Sequence, residues 1–205
     1  MVKRKKQTTK EENNFFRDNY TDSWLYIKES KNFFYIIIGI FALFIFVGAF
    51  LPVPSAIEQQ ILDLIEELLR NTESLSWGGL MSFIFFNNLQ SSFLGMLFGI
   101  VLGIFSVVTV VVNGYLLGFV ASRVTQSEGI FVLWRLLPHG IFELPALFIS
   151  LGLGLKLGTF IFKKNKIKSL KKYFWNSLKV FLFVVLPLLI VAAFIEGSLI
   201  FLFRS

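Results

Sequence analysis

The sequence predicts an all-α, polytopic membrane protein with about five transmembrane helices and one amphipathic surface helix. Two observations lead to this class. Of the 205 residues, 55% are hydrophobic, with 26 Phe among them, and the apolar residues fall in runs about as long as the roughly 20 residues that a membrane-spanning helix needs. Because these runs use up most of the chain, no soluble catalytic domain fits beside them.

The chain divides into a short arm and one membrane domain. Residues 1–32 are predicted to form a basic cytoplasmic N-terminal arm that ends in an interfacial segment, because aromatic side chains that favour the headgroup region follow an initial basic run. Residues 33–205 are predicted to form a single transmembrane helical domain. Its first span is placed at 33–51, where Pro52 and Pro54 end the helix.

An amphipathic surface helix is predicted at 55–71. Ser55 and Glu58 have the spacing of a capping box, which starts a helix. Acidic residues share one face, which disfavours binding to anionic lipid and favours packing over the bundle or against a partner. The other face is apolar and consists of Ile57, Ile61, Leu64, Ile65 and Leu68.

Four further spans follow, and their arrangement has an alternative. The hydrophobic runs place these spans near 78–98, 100–123, 130–155 and 175–203. A ladder of small residues instead favours one uninterrupted helix, with half-helices at 78–86 and 115–124 as its neighbours. Both arrangements stay open. The ladder indicates close helix packing within one subunit more than a dimer seam, and it consists of Ser91, Gly95, Gly99 and Gly103.

Charge predicts the topology. The N-terminal arm and the lysine-rich segment from Lys156 to Lys172 are basic and are expected in the cytoplasm, whereas the acidic segment 58–73 is expected outside. An odd number of crossings must then lie between these two segments, and the stretch is long enough for three. The prediction is a multi-pass protein of the cell membrane, with its N-terminus cytoplasmic and its C-terminus outside.

Several motifs resemble the stage II sporulation protein M family. They are Asn87-Asn88, the glycines from Gly95 to Gly103, Asn113 to Gly118, the Pro-His-Gly-x-x-Glu-x-Pro block within Leu137 to Ala146, and Ala192 to Gly197. The resemblance implies a five-span membrane protein. In spore formers it also implies a complex with stage II sporulation proteins D and P, which remodel peptidoglycan during engulfment.

Polar side chains within the predicted spans form a candidate site, because each one in hydrocarbon is costly unless it is paired. As a functional site, this cluster would bind a proton, a cation or a small polar solute, with the acid and the histidine as ligands or proton carriers. As a structural network, which we favour, it would only fix helix packing. The predicted cluster consists of Asn87, Asn88, Asn113, His139 and Glu143.

A second polar pair is predicted nearer the outer surface. Arg135, His139 and Glu143 are spaced to share one helix face if the helix continues through Pro138. Arg135 in the fourth span and Glu196 in the fifth would lie at similar depth, so we expect an ion pair between them, or one between Glu196 and His139.

Other functional classes lack support in the sequence. The net charge of +7 lies in clusters beside apolar runs, where anionic headgroups explain it without nucleic acid. The chain has no Cys and a single His, which disfavours a metal site, and no enzyme motif is present. We expect no cofactor and no enzymatic activity. The preferred function is a scaffold in the bilayer with protein partners or a homo-oligomer, and the alternative is a transporter or channel.

Overall fold

The structure, a computed structural model, describes the backbone of residues 2–53, 55–131, 133 and 137–203, and the side chains of 15–53, 55–68, 70–131, 133 and 140–203. Seven α-helices lie within these ranges: α1 (Val2–Phe50), α2 (Ser55–Glu73), α3 (Trp77–Leu97), α4 (Ile104–Glu128), α5 (Leu137–Gly158), α6 (Lys166–Val180) and α7 (Leu186–Leu202).

Five helical segments are long and apolar enough to cross a membrane: Phe15–Phe50, Trp77–Ile100, Ile104–Glu128, Gly140–Phe162 and Lys166–Leu202. The predicted all-α class, with about five spans and one additional amphipathic helix, is therefore confirmed. The basic arm belongs to the same helix as the first span, because α1 runs without interruption into the apolar segment.

The structure has full helices in the region where the sequence also allowed half-helices at 78–86 and 115–124. α3 continues past Asn87, and α4 continues past Asn113. Gly103 ends the small-residue ladder outside α3, in a turn where its φ of +74° places it in the left-handed region. α5 begins at Leu137 rather than near residue 130, with Pro138 in its first turn, where the missing N–H costs no helical hydrogen bond.

The two ends of the bundle carry opposite charge. At one end, Asp22 of α1 pairs with Lys179 of α6 at 3.0 Å, close to the lysine-rich segment 163–172; we call this the basic end. At the other end, α1 stops at Phe50 and the acidic helix α2 follows; we call this the acidic end. α1 and α4 run from the basic end to the acidic end, and α3 and α5 run back.

α5 lies at the centre of the bundle and packs against α1, α3, α4 and α7. In the apolar stretch of the span that contains α5, 56% of the residues are buried, the largest share among the five candidate spans. The 3₁₀ turn Phe98–Ile100 that follows α3 approaches α5 at backbone distance, since a Cβ atom on Gly99 would overlap the backbone of Gly154. A Cβ atom on Gly158 would likewise overlap the backbone nitrogen of Gly103. Glycine therefore sets how closely these helices pack at the basic end.

A π-helical turn, Phe181–Val185, joins α6 to α7. Pro187, the second residue of α7, has no N–H to donate to the carbonyl one turn earlier. The wider turn accommodates this missing bond, so the helical path from α6 into the last span stays continuous.

Candidate functional site

A groove of about 370 Å³ lies between α3 and α4 on the outside of the bundle. Its polar lining consists of Asn87, Gln90, Ser91 and Thr109, and two aromatic rings, Phe98 and Phe105, stand nearer the basic end. Ser106 Oγ donates to the Gly95 carbonyl at 2.8 Å and joins the two helices behind the groove. Asn87 is exposed, and its amide donates to Asn88 Oδ1 at 3.4 Å.

Two other residues of the predicted cluster, Asn113 and Glu143, are not part of the groove lining. Asn113 is half-buried one turn beyond the groove, and its amide donates to the Thr109 carbonyl of its own helix at 2.8 Å. Glu143 is half-buried in the second turn of α5. The His139 side chain is outside the described residues. The structure thus places Asn87 at the groove, while Asn113 bonds to its own backbone.

Of the predicted outer pair, Arg135 lies outside the described residues. Glu196 is half-buried on α7, next to Gly197, which packs against Met81 near the acidic end. Among the described side chains, no three His, Asp or Glu residues group together in a way that could hold a metal ion.

A buried lysine joins three helices near the basic end. Lys156 on α5 is only 7% exposed. Its Nζ donates to Ser30 Oγ at 2.9 Å and lies 3.7 Å from the centre of the Tyr26 ring, both on α1. The Tyr173 ring of α6 lies 5.6 Å away. The hydrogen bond and the cation–π contact offset the cost of removing this charge from water.

Sequence reasoning grouped Lys156 with the exposed lysines that follow it and missed this junction. A signal was present: Lys156 stands within an alternating run of Leu and Gly, Leu151 to Gly158, and the next lysine is seven residues away. Glycines that recur every second residue let a helix pack closely on its neighbours, and a single cation within such an apolar run is expected to have a partner.

The surface helix α2 at the acidic end leaves much of its apolar face uncovered. Ile61 is buried, but Ile57, Leu64 and Leu68 remain 48%, 46% and 41% exposed. An ion pair between Glu58 and Arg123 links the first turn of α2 to the end of α4. Within the described residues, α2 has no extensive interface with the helices of the bundle.

Comparison with known proteins now identifies the family. A family model described as stage II sporulation protein M matches residues 33–199. The chain belongs to this family. The matched region contains α2 and the three middle spans and overlaps the first and last spans, but it does not include the N-terminal arm. Membership of the stage II sporulation protein M family and the five apolar helices together indicate a multi-pass membrane protein.

One curated relative is the uncharacterized protein MJ0706 of Methanocaldococcus jannaschii. It is 35% identical over 107 residues, which are 49% of this chain and 48% of the relative. The chain therefore spans about half the length of the curated relative that it matches. No solved structure matches the chain.

Proposed function

We propose that this member of the stage II sporulation protein M family is a non-enzymatic scaffold in the membrane, which holds a partner protein at its acidic end. The observation that carries the proposal is the uncovered apolar face of α2, where Ile57, Leu64 and Leu68 are more than two-fifths exposed. An amphipathic helix gains stability by burying such a face. Contact with a partner supplies that burial.

The charge of α2 favours a protein over the lipid surface as that partner. Segment 55–73 carries five acidic residues against a single basic one, Arg70. Helices that lie on anionic bilayers are rich in Lys and Arg on their polar face. A partner with an apolar groove and basic residues along its rim would complement α2 in both hydrophobicity and charge.

Transport is the less favoured function. The residues that would form a polar site are divided, because Asn87 faces outward at the groove and Asn113 donates to its own helix. Glu143 lies on a third helix, α5. A transported solute would instead need these groups to converge on one cavity.

The orientation follows from the same charge asymmetry. We propose that the basic end faces the cytoplasm, as the positive-inside rule predicts, so that α2 meets its partner outside the membrane. The chain has no Cys, which allows single cysteines to report on each side. In intact cells, an impermeant thiol reagent should label Glu67→Cys and should not label Lys166→Cys.

The scaffold proposal is tested by site-specific photo-crosslinking in native membranes. A photoreactive amino acid replaces Leu64 or Leu68 on the apolar face, and Gln59 on the opposite face provides the matched control. We expect a protein adduct of one defined mass from the first two positions and none from Gln59. Adding Ile57→Glu to the Leu64 and Leu68 variants should abolish it. Adducts with lipid alone would show that α2 rests on the bilayer and would overturn the proposal.

A further inference from the structure

The groove between α3 and α4 presents amide side chains at the depth of the lipid tails. Asn87 stands ten residues after Trp77 and thirteen before Ile100 in the span Trp77–Ile100. At a rise of about 1.5 Å per residue, it lies roughly 15 and 20 Å from the ends of the helix. Asn87 and Gln90 are both exposed there, which places polar groups against hydrocarbon if nothing covers them.

Hydrogen bonds within the chain leave these groups largely unsatisfied. Asn87 makes one long bond, 3.4 Å, to its neighbour Asn88. Gln90 makes no hydrogen bond within the described part of the chain, whereas Thr109 already donates to the Phe105 carbonyl at 2.8 Å. An amide has two donor hydrogens and an acceptor oxygen, and lipid tails satisfy none of them.

A neighbouring groove shows what lipid can cover. It lies between α3 and the π-helical turn and shares Gln90 and Leu94 with the amide groove, but its remaining lining is apolar and includes Phe86, Phe93 and Leu186. Acyl chains match this apolar part of the surface without cost. The amide groove differs from it in chemistry, so its occupant must supply hydrogen-bonding groups at mid-membrane depth.

We infer that a second copy of this chain covers the amide groove, so that α3 and α4 form a two-fold symmetric dimer interface. The polar lining carries no charge, so two identical copies do not repel each other. Asn and Gln side chains both donate and accept, which makes the patch complementary to itself across a two-fold axis. The small side chain of Ser91 at the groove lets a facing helix approach closely.

The groove does not continue into the bundle. This disfavours a water-filled path from the bundle interior to the amides. The bond from Ser106 Oγ to the Gly95 carbonyl closes it towards α5, and Leu151 of α5 packs directly behind Gly95. The opening is therefore lateral, towards the membrane. This dimer surface is also separate from α2, so the scaffold proposal and the dimer can succeed or fail independently.

Cysteine crosslinking of the full chain in native membranes tests the dimer. Leu94→Cys and Phe105→Cys place single thiols on the two rims of the groove, and Ile190→Cys on α7, which is 53% exposed, is the lipid-facing control. With a short bifunctional maleimide, we expect an adduct of twice the chain mass from the two rim positions and none from Ile190→Cys. An adduct with a different protein, or no adduct from either rim position, would overturn the second-copy assignment.

Substituting the amides tests whether a crosslinked dimer reflects a specific interface or only chance proximity of two chains in the membrane. We expect the double substitution Asn87→Leu and Gln90→Leu to weaken self-association by about tenfold, the size expected for a few interhelical hydrogen bonds. The variant should still fold, because leucine suits a lipid-facing position. Its thermal unfolding in detergent should match that of the unsubstituted chain. An undiminished dimer adduct in this background would also overturn the proposal.

Discussion

The packed helices of the bundle and the surface helix α2 are built on different principles. At the basic end, helices meet at backbone distance through glycines, and Lys156 ties α5 to α1 through Ser30 and Tyr26. At the acidic end, α2 keeps exposed apolar side chains and is linked to α4 by the ion pair of Glu58 with Arg123. The comparison indicates that close helix packing, which Gly48 and Gly118 extend into the acidic half of α1 and α4, stabilises the bundle, whereas α2 is available for contacts with other molecules.

The largest effect is expected where helices meet at glycine. In Gly99→Ala, the new methyl group would overlap the backbone of Gly154, which cannot move without shifting α5. We expect this substitution to destabilise the protein by about 3 kcal/mol or more. Thermal unfolding in detergent measures the loss.

Gly39→Ala provides the matched control for this prediction. Gly39 lies in the lipid-facing part of α1, and a Cβ atom there would meet nothing within 4 Å. The same chemical change should leave stability unchanged or raise it by about 0.5–1 kcal/mol, since alanine favours a helix over glycine. If both alanine variants unfold at the same temperature, glycine packing does not hold the basic end together.

A smaller effect is expected at the lysine junction. Lys156→Ala removes the hydrogen bond to Ser30 and the cation–π contact with Tyr26, and it leaves a cavity. We expect a loss of about 2–3 kcal/mol in unfolding free energy. Lys163→Ala, at an exposed position of the same end, should cost less than about 0.5 kcal/mol. Equal effects of the two substitutions would show that Lys156 contributes only net positive charge.

These contrasts also show which features of the fold and of the candidate site could be predicted from the sequence. The spans and α2 were predictable because hydrophobic length and the Ser55-to-Glu58 pattern are local signals. The surroundings of Lys156 were not, because they depend on the rotation of α5 against α1, which no local pattern specifies. Depth alone placed Asn87 and Asn113 in one cluster. In the folded bundle, Asn87 faces outward, whereas Asn113 bonds to its own backbone.

The smallest effect on stability is expected at the acidic end, in Arg123→Ala. This substitution breaks the ion pair with Glu58, whose two side chains are 48% and 28% exposed. Because ion pairs near the surface contribute little, the unfolding free energy of the bundle should change by less than about 1 kcal/mol. The local effect should be larger, since the pair links α2 to α4. Limited proteolysis of the protein in liposomes should therefore cut the α2 region faster in Arg123→Ala.

Arg70→Ala, which breaks an exposed pair within α2 itself, is the control and should leave the cleavage rate nearly unchanged. A lowered unfolding temperature without faster cleavage would place Arg123 in the stabilising core and remove the distinction between the bundle and α2.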